Sequence, residues 1–129
     1  MLAQVSIEFI SFVSILFILL IFTVYYNSNL YLQIQTAKIM KEAQAISDQV
    51  ASEINLALKA GDGYSRVFTL QDKILNAIDY TITIEKYSVK VSWDRGSTRS
   101  VILTESVNGN FLKGKNLIRN SGGMIYVNQ

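Results

Sequence analysis

Gln4-Val5-Ser6-Ile7-Glu8-Phe9 passes directly into Ile10 to Tyr26, a stretch with no charged side chain. One carboxylate therefore sits at the edge of a membrane-length apolar segment. An ionised side chain near hydrocarbon costs free energy, roughly 2.5–3.5 kcal/mol at a helix centre and less toward an interface. Glu8 thus requires a partner that a simple anchor does not supply. As a helix, residues 5–26 reach about 33 Å, against a hydrocarbon core of roughly 30 Å. The segment sets Phe9, Phe12, Phe17 and Phe22 among Ile and Leu and contains neither Pro nor Gly, so a helix leaves no backbone group unpaired in lipid. Tyr25 and Tyr26 suit an interfacial aromatic belt. A secretory signal would place basic residues before the apolar run and a small-residue cleavage site after it. Here the small residue suited to cleavage, Ala3, precedes the run.

Outward from this segment the chain turns polar at Asn27-Ser28-Asn29, where side chains that compete for backbone hydrogen bonds mark a place for a bend or local melting. Helical spacing resumes at Leu30. Ile39, Ala43, Ile46, Val50, Ile54 and Ala57 step by four or three along one face, with Lys41, Gln44, Asp48, Gln49, Ser52 and Asn55 opposite. A continuous helix over 4–59 would be about 84 Å long, and Gly61-Asp62-Gly63 ends it. From Tyr64 the period falls to two. Tyr80, Ile82 and Ile84 alternate with polar residues, as do Tyr87, Val89, Val91 and Trp93, which predicts an antiparallel hairpin. Turns are expected at Asp94-Arg95-Gly96-Ser97, Asn108-Gly109 and Ser121-Gly122-Gly123, with a strand over 98–104 and others over 117–120 and 124–128. The fold class is α+β: a long N-terminal hydrophobic and amphipathic α-helix, then a small antiparallel β-sheet head over 60–129, a meander of five to seven strands. A head of this size is marginal alone, so the stripe on residues 39–57 should supply half of its core.

Composition narrows function. Cysteine and histidine are absent, which excludes disulfides, thiolate nucleophiles, Ser-His triads and the usual zinc ligands. No catalytic constellation, metal site or cofactor motif appears, and the chain is read as a non-enzyme. Net charge is +2, but residues 86–129 hold seven basic side chains against Asp94 and Glu105, a local excess of five. Such a surface could touch DNA, anionic lipid or an acidic cell coat. Lysines guarding strand edges are the commoner explanation, and no nucleic acid is expected as a partner. Trp93 could serve carbohydrate adhesion, yet its alternation with Val89 and Val91 points to core packing. Asp62 between two glycines is far short of a calcium ligand set and reads as a turn. No Asn lies in an Asn-x-Ser/Thr glycosylation pattern.

Gln4, Ser6 and Glu8, followed at once by the apolar run, match the Gln-x-Ser-x-Glu pattern in order and spacing. In this the chain resembles the archaeal type IV prepilins with a class III signal peptide. The resemblance implies that a prepilin peptidase removes residues 1–3 by cutting between Ala3 and Gln4, and that Glu8 becomes the fifth residue of the mature chain. The leader Met1-Leu2-Ala3 lacks the Lys or Arg usual in the family, and Phe12 stands where the family often has Leu. The implied architecture is a β-rich head wrapped on the C-terminal half of a long helix, with 4–26 as transmembrane segment and filament core and 27–59 as amphipathic stalk.

The function so implied is that of a structural pilin: a membrane-anchored precursor, then a homopolymer of identical subunits in an extracellular filament for adhesion or surface attachment. Its partners would be the peptidase, a pilus assembly ATPase with its membrane platform, and the membrane before assembly. Gln4, Ser6, Glu8, Phe9 and Phe12 are the assembly candidates. In the family the acidic residue pairs with a mature N-terminal amine, often a neighbour's, and the expected role of Glu8 is axial register. Cyclisation of Gln4 would remove that amine. Other readings are a carboxylate at the first turn favoured by the helix dipole for Glu8 and a helix cap for Ser6. The alternatives for the whole chain are a minor pilin or pseudopilin of a membrane assembly or secretion machine, and a monomeric membrane-anchored binding module.

Overall fold

The structure, a computed structural model, describes residues 1–129 apart from the side chains of Leu2 and Ala3. Helix α1 spans Leu2–Ala60, and seven strands follow: β1 Ser65–Leu70, β2 Tyr80–Glu85, β3 Ser88–Trp93, β4 Gly96–Val101, β5 Val107–Gly109, β6 Gly114–Ser121 and β7 Met124–Val127. The class is α+β. The chain divides into two compact units, Met1–Ala37 and Lys38–Gln129, so the later part of α1 belongs with the strands.

In the first unit Asn27 and Ser28 do not interrupt the helix, contrary to the melting expected there. Asn27 Nδ2 donates to the Thr23 carbonyl at 2.9 Å and Ser28 Oγ to the Val24 carbonyl at 2.9 Å. Their hydrogen-bonding capacity is thus satisfied four residues back, within the helix itself.

In the second unit Ala43, Ile46, Val50, Ile54 and Ala57 are buried and Ile39 packs against them, as the spacing predicts. They meet Phe68, Leu70, Val89, Val91, Ile118, Ile125 and Val127, one inward-facing set from the strands. At about 25 cal/mol per Å² of apolar surface removed from water, this shared core is the main force joining helix and strands. Lys59 in the last turn suits the negative helix end, and Gly61 at φ 85° closes it.

The strands correct the expected meander. They form two sheets, β2-β3-β4 and β1-β6-β7-β5, and β5 runs parallel to β7. Asn108-Gly109 is part of β5 rather than a turn. Gly109 is required there because a Cβ would lie 2.1 Å from the Val127 carbonyl oxygen. Tyr87 leaves the predicted strand for the β2–β3 turn at φ 54°. Strand β4 begins at Gly96, so Asp94-Arg95 alone makes the turn, and the strand ends at Val101 instead of 104.

The helix flanks bond to the outer strands of both sheets. Toward β4, Gln44 Nε2 donates to Ser100 Oγ at 3.0 Å, Thr98 Oγ1 donates to Gln44 Oε1, and Asn55 Oδ1 accepts from the Leu103 N–H at 2.8 Å. Toward β1, Gln49 Nε2 donates to the Thr69 carbonyl at 3.1 Å, and Glu53 pairs with Arg66 at 3.6 Å. Gln44, Asp48, Gln49 and Asn55, on the face opposite the apolar stripe, therefore tie the helix to the outer strands, Asp48 by accepting from the Ser100 hydroxyl and Asn55 through the segment just after β4.

Candidate functional site: an exposed apolar helix with one carboxylate

The first unit exposes nearly every apolar side chain from Val5 to Ile34, and none of its most apolar window is buried. By length and composition this helix can cross a membrane, which is consistent with membrane anchoring. A helix exposed all round in water would be unstable, so its solvent must be lipid or other protein.

Gln4, Glu8 and Phe12 follow at intervals of four, about 40° apart on the helix surface, and so share one face. Ser6 lies about 200° from Glu8 and Phe9 about 100°, which places Ser6 opposite the carboxylate. The helix therefore brings together Gln4, Glu8 and Phe12, sets Phe9 beside Phe12 about 60° away, and turns Ser6 away from the carboxylate. Phe9 and Phe12 are 66% and 61% exposed, and Gln4, Ser6 and Glu8 are exposed too. Ala3, expected before the processing site, lies in the first turn of α1, and its side chain is outside what the structure describes.

Polar groups further along are satisfied within the helix. Ser11 Oγ donates to the Ile7 carbonyl at 2.9 Å, Ser14 Oγ to Ile10 at 2.8 Å and Thr23 Oγ1 to Leu19 at 2.8 Å. This back-bonding was legible from hydroxyl residues in an apolar helix, though the motif alone draws attention elsewhere. Glu8 differs. Among the described residues it makes no ion pair, and the next charged residue along the chain is Lys38.

The head offers a different chemistry. Five of the seven basic side chains after residue 85 are matched by acids: Lys86 with Glu105 at 3.6 Å, Lys90 and Arg99 with Glu85 at 3.6 and 3.2 Å, Arg95 with Asp94 at 3.9 Å, and Lys113 with Asp79 at 2.6 Å. The hydrogen bond and charge of Lys113 lower the Asp79 pKa. Because Glu85 serves both Lys90 and Arg99, four acids match these five cations, and Glu85 and Asp79, which precede the segment, lower its excess of positive charge from five to three. Trp93 packs partly buried against the core, with its ring over Gly96. Asp62 Oδ1 accepts from the Gly122 N–H at 2.8 Å, a turn-to-turn tie. No group of three or more metal-ligating His, Cys, Asp or Glu occurs among the described residues.

No protein-family model matches the chain, and neither a curated protein nor a solved structure matches it.

Proposed function

We propose that this chain is the structural subunit of an archaeal type IV pilus-like cell-surface filament, polymerised by packing residues 4–26 of one copy against those of its neighbours. The observation that supports this reading is Glu8, an unpaired carboxylate on an exposed apolar helix whose hydroxyl groups are bonded to their own backbone. No charged side chain between residues 1 and 37 can neutralise it. An α-amine at Gln4 of a neighbouring copy, released by removal of Met1-Leu2-Ala3 by a prepilin peptidase, supplies a counter-charge.

The energetics assign Glu8 a role in register. A desolvated carboxylate–ammonium pair contributes little net stability, but leaving one partner buried alone costs roughly 3–5 kcal/mol. A copy out of axial register incurs that cost and a copy in register does not. Between helices in lipid, dispersion contacts and close approach at small residues drive association, and Ser11 and Ser14 provide such positions. The precursor is held in the membrane, and the assembled polymer serves adhesion or surface attachment outside the cell. An assembly ATPase with its membrane platform would extract the subunits.

The test is Glu8→Ala in the full chain. Membrane insertion is expected to persist while filament yield falls at least tenfold or the axial spacing becomes irregular by electron microscopy. Filaments of unchanged yield and geometry would remove the register role. Intact mass of the same material is expected to show loss of residues 1–3. Chains that keep Met1 and stay dispersed in the bilayer would refute the filament reading in favour of an anchored monomer.

A further inference from the structure

Where α1 ends, two glycine turns are fastened together around one buried amide. Asn120, 3% exposed, donates from Nδ2 to the Ala57 carbonyl at 2.8 Å and accepts at Oδ1 from the Gly123 N–H at 3.0 Å. Its backbone carbonyl accepts from the Gly63 N–H at 3.0 Å, and its N–H donates to the Tyr64 carbonyl at 2.9 Å. Together with the Asp62–Gly122 bond at 2.8 Å, these bonds lock Gly61-Asp62-Gly63 against Ser121-Gly122-Gly123. The assembly is more than two surface turns need for chain reversal.

It frames a cleft of about 420 Å³ lined by Asp62, Tyr64, Ser65, Arg119, Ser121 and Tyr126. Arg119 stands directly opposite Ser65 on β1 and Tyr126 on β7, so the three form a row about 10 Å wide at the usual strand spacing. All six side chains are exposed or half-buried. They present a carboxylate, a guanidinium, four hydroxyls and two phenol rings. Arg119 is anchored by a bond to the Gln129 carbonyl oxygen, which uses one of its five N–H groups. Asp62 keeps a second oxygen as acceptor.

From this we infer that the cleft binds a neutral saccharide. Adjacent sugar hydroxyls each donate and accept, so one pair can bridge the Asp62 carboxylate and the Arg119 guanidinium. The phenol rings give the apolar C–H face of the sugar a surface with a polar tip. Opposite charges in one cleft cancel, and Asp62 repels phosphates and other polyanions. The locked turns hold these groups in place before binding, which limits the ordering cost. Trp93, whose alternation with Val89 and Val91 points to core packing, is packed on the core and takes no part in the cleft.

The test uses full-length protein dispersed in detergent micelles, with methyl α-mannopyranoside, methyl β-glucopyranoside and methyl β-galactopyranoside as probes, followed by amide chemical shifts. At least one probe is expected to shift Gly63, Gly122 and Tyr126 saturably at millimolar concentration. Arg119→Gln and Tyr126→Leu, the latter keeping bulk on the sheet face, should each weaken that binding at least tenfold, and Lys115→Gln on the same strand should leave it unchanged. Three outcomes overturn the inference: no saturable shift with any probe, binding indifferent to both cleft variants, or tighter binding of a heparin oligosaccharide at the same amides. Dispersed chains suffice, so the result is independent of whether copies polymerise.

Discussion

At position 109 an added methyl group would meet the Val127 carbonyl oxygen at 2.1 Å, and φ is 104°, where side chains are rarely found. Gly109→Ala is therefore expected to destabilise the head by at least about 2 kcal/mol, the combined effect of a strained backbone and a forced separation of β5 from β7. Urea denaturation measures it, and a loss under about 0.5 kcal/mol, the range of ordinary surface changes, would contradict the close approach. Tyr80 carries a pH signature. Burial, reinforced by the negative charge of Asp72, raises its pKa above the ordinary 10.0, and its hydroxyl donates to the Gln71 carbonyl. The folded state therefore holds this proton more tightly than the unfolded chain. Its contribution is fully present below the unfolded pKa and is lost as pH rises through the folded one. Thermal stability of the head should fall in that alkaline window, and Tyr80→Phe should flatten the fall. A profile identical in the variant would assign the loss to other groups.

Each element is shaped by what lies on its flanks. The first part of α1 is rich in β-branched and aromatic residues with modest helix propensity, and lipid or packed protein favours the helix by leaving the backbone no other partner. The later part is amphipathic in a richer sense than two faces. Its apolar stripe enters the core, and polar side chains on either flank bond to the Thr69 carbonyl on β1, to the Ser100 hydroxyl on β4 and to the Leu103 N–H just beyond β4. An uncovered edge strand is a template for pairing with other chains. Asn55, bonded to the Leu103 N–H at 2.8 Å and the Val101 carbonyl at 3.4 Å, is such a cover. Asn55→Ala is expected to cost roughly 1 kcal/mol and to increase self-association of the head. Denaturant titration and light scattering check the two effects, and a variant matching the parent in both would show that the edge needs no cover.

For the whole molecule, every residue of the buried core lies within 38–129, the unit that contains all seven strands. That segment alone is expected to be soluble without detergent and to unfold in one cooperative thermal transition. Circular dichroism and gel filtration test this, and an aggregated or non-cooperative product would show that the preceding helix is needed for folding. The helix stop at Gly61, the apolar stripe of 39–57, the alternation in β2 and β3 and the Gly122-Gly123 turn were all legible in the sequence. Each depends on residues within a few positions of one another, so periodicity and turn chemistry report it. The same local reading singled out Glu8, since one charge in an apolar run needs no fold to be visible. Partition into two sheets, the parallel β5–β7 pair, the recruitment of Asn108-Gly109 into a strand and the keystone role of Asn120 were decided only by tertiary structure. They depend on partners distant in the chain, such as Asn120 with Ala57 and Gly109 with Val127. Such pairings are selected by how sheets and helix close over a common core, and that closure leaves no period in the sequence.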